Sequence, residues 1–121
     1  FNKALNSYTL NENRIFVHLG ELKNPDVSVL IADFFMRVNM VTWSLVSGVY
    51  ENRLIIVIRN DGLRKKAGNI ADQVFGEYGP AGGHKSMARA EIPFENLRGE
   101  VDISNREATV NWMISKFSET E

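Results

Sequence analysis

The stretch Gly79-Pro80-Ala81-Gly82-Gly83-His84-Lys85-Ser86 carries the densest chemistry in the chain. Adjacent glycines let a backbone approach a ligand to hydrogen-bonding distance, with no β-carbon in the way. Consecutive main-chain N–H groups in such a segment can form a concave nest for an anion. His84 can donate to an anionic oxygen, and Lys85, Ser86 and Arg89 follow closely. A plain connection between a helix and a strand, with His84 at its end, accommodates the same residues. If residues 85–92 form a strand, alternation puts His84, Ser86 and Ala88 on one face and Lys85, Met87 and Arg89 on the other. The two sets then cannot all reach one ligand.

A second candidate is Arg59, which with Asn60 closes the aliphatic run Leu54-Ile55-Ile56-Val57-Ile58. Open α/β sheets place ligands beyond the C-terminal ends of their strands. A solvated residue opening the turn Arg59-Asn60-Asp61-Gly62 is the plainer alternative. Arg64-Lys65-Lys66 opens a predicted helix, where cations oppose the dipole, and reads first as a solvated face. His18 alternates with apolar neighbours and reads as structural, and Trp43 and Trp112 read as core or interface aromatics. Asp26 and Asp33, seven apart on one helix, make no recognisable acid–base pair. Two distant histidines without clustered acids supply no transition-metal, manganese or magnesium site. The chain has no cysteine, which excludes a thiolate nucleophile, a Cys-type zinc site and a redox pair. No Ser-His-Asp spacing, P-loop or dinucleotide fingerprint is present. By itself this chain holds no catalytic machine.

The elements that must position these residues follow from periodicity. A strand is predicted from Arg14 to Leu19, where Ile15, Val17 and Leu19 alternate. Asn24-Pro25-Asp26 announces a helix over 25–38, apolar nearly all round and therefore expected to be mostly buried. Val41–Tyr50 and Leu54–Ile58 read as strands about the tight turn Glu51-Asn52, the second of them central and covered on both faces. A helix over 64–78 stops at Gly79-Pro80. A short strand over 85–92 follows the glycines, and Ser104-Asn105-Arg106-Glu107 has a capping-box pattern opening the last helix. The order β-α-β-β-α-β-α predicts an α/β (α+β) fold, a mixed sheet of about four or five strands with helices on its faces.

Length and charge set the outer bounds. The chain has 121 residues, of which 44% are apolar and 24% charged, the balance of one soluble globular domain spanning 1–121. The formal charge is −1, so no whole-protein field draws in nucleic acid. Its distribution is uneven: residues 59–90 carry a local +3 and residues 91–121 a local −4. An anionic ligand is best received in the middle segment. No apolar run approaches the roughly 20 residues of a membrane span, and no signal peptide is visible, so no membrane partner and a cytoplasmic location are expected. The chain opens at Phe1 without an initiator methionine, which reads as a piece of something longer.

With Ala81-Gly82-Gly83-His84-Lys85-Ser86-Met87-Ala88-Arg89-Ala90 in view, the chain resembles the C-terminal, DHH-associated domain of the DHH phosphoesterase superfamily, in its oligoribonuclease and exopolyphosphatase-related branch. That domain's signature is a GGGH-type loop after a strand–helix unit. Ile58-Arg59-Asn60 matches the family's preceding strand, and Phe75-Gly76-Glu77-Tyr78-Gly79 the helix that feeds the loop. The resemblance runs from about Arg14 to Pro93. Ala81 departs from it by replacing the first loop glycine, and Arg89 by standing where many members keep a small residue.

The resemblance implies a division of labour. A missing N-terminal DHH domain of the same chain would hold divalent metal, usually manganese, and this domain would bind no cofactor. Arg59, Asn60, Gly82, Gly83, His84 and Arg89 would grip the phosphate of a short single-stranded oligonucleotide or nucleotide. The implied function is substrate recognition in a metal-dependent phosphoesterase, with the isolated domain inactive. A non-catalytic nucleotide- or anion-binding regulatory module is the alternative. A third reading is a structural domain that makes its parent a homodimer.

Overall fold

The computed structural model describes residues 2–38 and 40–120, so Phe1, Asn39 and Glu121 lie outside it. Its elements are α1 (Asn2–Ser7), β1 (Thr9–Asn11), β2 (Arg14–Glu21), α2 (Asp26–Phe35), β3 (Trp43–Tyr50), β4 (Arg53–Asn60), α3 (Ala67–Phe75), β5 (Ala81–Gly83), β6 (Met87–Pro93) and α4 (Arg106–Thr120). A short 3₁₀ turn, Phe94–Leu97, follows β6. The strands form one sheet in the order β1-β2-β3-β4-β6-β5. β2 and β3 run parallel, and every other pairing is antiparallel.

The fold class is the one expected, with six strands in place of four or five. Both additional strands are short edge strands. β1 lies in front of the first predicted strand, and β5 is made by the glycine-rich stretch itself, which was expected as a loop. The turns Glu12-Asn13 and Glu51-Asn52 each place both residues at positive φ. That is the two-residue hairpin geometry whose twist matches the flanking strands.

Alternation along β4 divides the interior into two cores. Leu54, Ile56 and Ile58 face α3 and α4, whereas Ile55 and Val57 face α2. Each such burial stabilises by roughly 1.5–3 kcal/mol, so β4 is the fixed reference for everything at its end. Trp43 and Trp112 are buried in the first core. His18 is buried and bridges Ser47 Oγ (Nδ1, 2.8 Å) and the Ile103 carbonyl (Nε2, 3.2 Å), a structural role.

Three helices differ from the sequence reading in informative ways. α2 connects the parallel strands β2 and β3, and it stops at Phe35 rather than 38. It is buried on one side only: Ser28, Ile31, Ala32 and Phe35 face the sheet, while Val27, Leu30 and Phe34 face outward. A single layer of helix on a sheet face has no second partner for its outer stripe. α3 begins at Ala67, not 64, because its first free N–H groups are already claimed. Ala67 N donates to the Lys85 carbonyl and Gly68 N to that of His84, both at 2.8 Å. Arg64 and Lys65 therefore lie in the preceding loop, with Lys66 at the N-cap. At α4 the cap is Asn105, whose Oδ1 accepts from Ala108 N at 2.9 Å. Ser104 Oγ instead donates to Asp102 at 2.6 Å, so no capping box closes with Glu107.

α2 packs on β3 and β4. Beside it, the same face of β6 and β5 forms an open shelf at the margin of the sheet.

Candidate functional site

Strand register assembles the site. β4 pairs with β6 so that Arg59 stands opposite Met87 and Val57 opposite Arg89. β5 pairs with β6 so that Gly82 stands opposite Arg89. Alternation then places Val57, Arg59, Met87, Arg89 and Gly82 on the α2 side of the sheet. Arg59 and Arg89 are diagonal neighbours, about 7–8 Å apart at the backbone. A 230 Å³ hollow in this shelf is lined by Val29 of α2, by Val57, Met87 and Arg89, and by Gly82, Gly83 and His84.

The two glycines differ in why they are glycine. A β-carbon on Gly83 would run into the Met87 carbonyl and the Ala88 backbone. A β-carbon on Gly82 would meet nothing within 4 Å, and its φ is not in the left-handed region. Gly68, in the first turn of α3, supports the loop from behind, because a β-carbon there would strike the Gly83 backbone. His84 N donates to the Met87 carbonyl at 2.8 Å, which fixes the backbone. The imidazole is exposed and has no hydrogen-bond partner among the described residues.

Both arginines are held by carboxylates. Arg59 Nη2 lies 3.1 Å from Asp33 Oδ1, and Asp33 Oδ2 lies 3.7 Å from Arg37. Arg89 Nε lies 3.0 Å from Glu91 Oε2, whose other oxygen is 3.5 Å from Arg53. The Nε atoms of Arg59 and Arg89 are buried, and neither makes an aligned hydrogen bond. Four arginines against two carboxylates leave this face positive.

Of the six residues singled out from sequence, the fold brings Gly82, Gly83, His84 and Arg89 to one hollow. The expected opposition of His84 and Arg89 fails because β6 begins only at Met87 and His84 lies outside its alternation. Arg59 lies on the same face of the sheet, beside Met87 in register, without lining the hollow. Asn60 is placed differently. It is buried, its Nδ2 donates to the Lys65 carbonyl at 2.7 Å, and its Oδ1 accepts from Gly62 N at 3.0 Å. Its side chain holds the 60–66 loop in shape. Sequence reasoning missed Asp33, Glu91 and Gly68. Glu91 was within reach, since Arg89 and Glu91 are two apart on a strand and share a face. Asp33 and Gly68 act across the fold and leave no local signal.

Among the described residues no three His, Asp or Glu side chains converge as a metal site. The divalent metal that the resemblance implies thus has no ligand set among them. The side chains whose acidity the fold shifts lie around α4. Hydrogen bonds from Trp112 and Tyr78 hold Glu100 below its ordinary value, and burial pushes Tyr78 up. No described helix is long and apolar enough to cross a membrane.

Comparison with known proteins places this geometry. No family model matches the chain. An uncharacterised protein of Methanocaldococcus jannaschii is 28% identical over 105 residues, which are 87% of this chain and 20% of that one. An exopolyphosphatase-related protein from Bacteroides fragilis superposes with a TM-score of 0.68 at 14% identity, covering 98% of this chain and 33% of that one. The two chains share a fold. A pGpG-specific phosphodiesterase from Vibrio cholerae shares it, with a TM-score of 0.51 and 15% identity over 95% of this chain and 37% of that one. So does the C-Ala domain of Aquifex aeolicus alanyl-tRNA synthetase, with a TM-score of 0.58 and 13% identity over 76% of this chain and 92% of the other. The chain thus spans 20%, 33% and 37% of the three larger chains it resembles.

Proposed function

We propose that the chain is the substrate-gripping domain of a phosphoesterase that acts on short oligonucleotides or nucleotides. The observation that carries this reading is Gly82, a glycine the fold does not require, set in open space beside Arg89 and His84. Where neither sterics nor φ demands glycine, an approaching ligand is the remaining reason for a bare backbone.

The chemistry of the shelf fits a phosphate. Arg59 presents a planar fork with five N–H donors. Asp33 engages one edge of it and orients the rest. His84 adds a donor that can reach outward. Gly82 keeps that part of the surface free of a side chain. These groups bind and orient an anion. Hydrolysis is assigned to the remainder of the protein, with the domain closing over bound substrate.

A ¹⁵N titration of the 121-residue chain with a 5′-phosphorylated oligoribonucleotide, and separately with adenosine bisphosphate, tests the reading. Shifts confined to Arg59, Gly68, Gly82 to His84 and Arg89 are expected. A spectrum unmoved at millimolar ligand, or shifts centred elsewhere, removes the proposal.

A further inference from the structure

We propose that a second hollow, on the α4 side of the sheet and so on the opposite face from the arginine shelf, binds a small zwitterion with an apolar body. That is the chemistry of a free α-amino acid. The hollow measures about 350 Å³, within the roughly 300–1,000 Å³ that houses a small-molecule ligand. It lies over the carboxyl ends of the parallel strands β2 and β3, at Glu21 and Val49, where α/β sheets receive ligands. The observation that carries the inference is a bulge in β2. Alternation along this strand places Phe16 with the α4-side core and Val17 and Leu19 with the α2-side core. Continued without interruption, it would turn Glu21 to the α2 side. Instead the register with β3 slips between His18, opposite Ser47, and Glu21, opposite Val49, and Gly20 takes a φ of +78°. Leu22 N donates to the Val49 carbonyl at 2.8 Å, which pins the slipped register. The extra residue rolls Glu21 into the hollow, and bulges are a recurrent means of re-aiming a side chain at a site.

Glu21 thereby shares the hollow with a cation it does not touch. Arg106 lines it too, and its Nε donates to the His18 carbonyl at 3.1 Å, which orients the guanidinium. Among the described residues the terminal nitrogens of Arg106 and the carboxylate of Glu21 have no partner, and no ion pair joins the two. Val49, Phe94 and Ile103 supply an apolar wall. His18 is part of the floor, because Ser47 Oγ and the Ile103 carbonyl already engage both ring nitrogens. An anion alone would enter beside Glu21, and a cation alone beside Arg106, each against a like charge. A zwitterion satisfies both: the planar fork of Arg106 takes the carboxylate, Glu21 takes the ammonium, and the apolar wall takes the side chain.

Titrations of the ¹⁵N-labelled 121-residue chain with L-leucine, N-acetyl-L-leucine and L-leucinamide test the assignment. Leucine is expected to move the amides of Gly20, Glu21, Val49 and Arg106. It should bind at least about tenfold more tightly than either blocked compound, each of which forfeits one charged hydrogen bond. Glu21→Gln, at an exposed side chain, is expected to bring leucine and N-acetyl-leucine to equal affinity while leucinamide stays weaker. Arg106→Gln should do the converse, levelling leucine with leucinamide; if the loss of its bond to His18 unfolds that variant, Glu21→Gln decides alone. Equal affinity of all three compounds for the parent, no shift at millimolar leucine, or shifts gathered at Gly82 to Arg89 would each overturn the site. Because the two hollows lie on opposite faces of the sheet, any of these results leaves the phosphate reading as it stands.

Discussion

Gly82 and Gly83 are neighbours that lack a side chain for opposite reasons, and that difference can be measured. Gly83→Ala forces a β-carbon into the Met87 carbonyl and the Ala88 backbone. Overpacking of this kind costs about 1–3 kcal/mol, read as a lowered denaturation midpoint. Gly82→Ala meets open space and is expected to stay within about 0.5 kcal/mol of the parent, as surface substitutions do, while weakening phosphate binding. A pair of variants equal in stability would contradict the steric assignment. At this scale the sequence was informative about Gly82, Gly83, His84 and Arg59, since residue type alone announces their chemistry. It was silent about partners. Nothing local joins Asp33 to Arg59 at 3.1 Å, and nothing local says that Asn60 spends its amide on the 60–66 loop.

At the scale of elements, the site depends on how α3 meets the β5–β6 connection. The helix donates its first two N–H groups to the carbonyls of Lys85 and His84, so the loop caps the helix and the helix rigidifies the loop. Gly68 permits that approach. Gly68→Ala would drive the first turn of α3 off the Gly83 backbone. The expected outcome is a loss of about 1–3 kcal/mol, together with faster amide exchange at Gly68, whose N–H leaves the His84 carbonyl. Protection unchanged at that amide would show that the contact is slack.

The existence and type of β2, β3, β4, β6, α2, α3 and α4 were legible from periodicity, whereas α1, β1 and β5 were not. The aliphatic run of β4 and the alternation of Ala88, Ala90 and Ile92 on β6 each became the expected strand. Boundaries were less legible where tertiary contacts override local signals. The start of α3 is set by the carbonyls of Lys85 and His84, 18 and 16 residues beyond the amides they accept from, and the outward face of α2 is set by the absence of a second layer rather than by its own composition. β5 was unreadable because glycine has low strand propensity, and only pairing with β6 holds it extended.

At the scale of the whole molecule, the charge is positive over residues 59–90 and negative over residues 91–121. The arginine-rich shelf lies on the α2 side, whereas the acidic C-terminal third packs around α4. There Glu100 accepts from Tyr78 (3.1 Å) and Trp112 (3.3 Å), and Asp102 accepts from Ser104. Both carboxyls titrate lower in the folded chain than their ordinary values of 4.5 and 3.8. As pH falls, protons therefore bind the unfolded chain first, and stability is lost from those values downward. Tyr78 is raised above 10.0 by burial, so the unfolded chain releases its proton first and stability declines again above that pH. Thermal midpoints across the acid limb should fall less steeply in Glu100→Gln than in the parent; identical slopes would show that Glu100 does not carry this dependence.

The most direct test of the central claim is the affinity of the 121-residue chain for a 5′-phosphorylated dinucleotide, compared with Arg59→Ala and His84→Ala. Both side chains are partly or fully exposed, so their removal leaves the folded core intact. Losing a hydrogen bond to a charged group costs about 1.5–3 kcal/mol, and each variant is predicted to bind at least about tenfold more weakly. Unchanged affinity in both, with native spectra retained, would show that the shelf beside Gly82 does not hold phosphate.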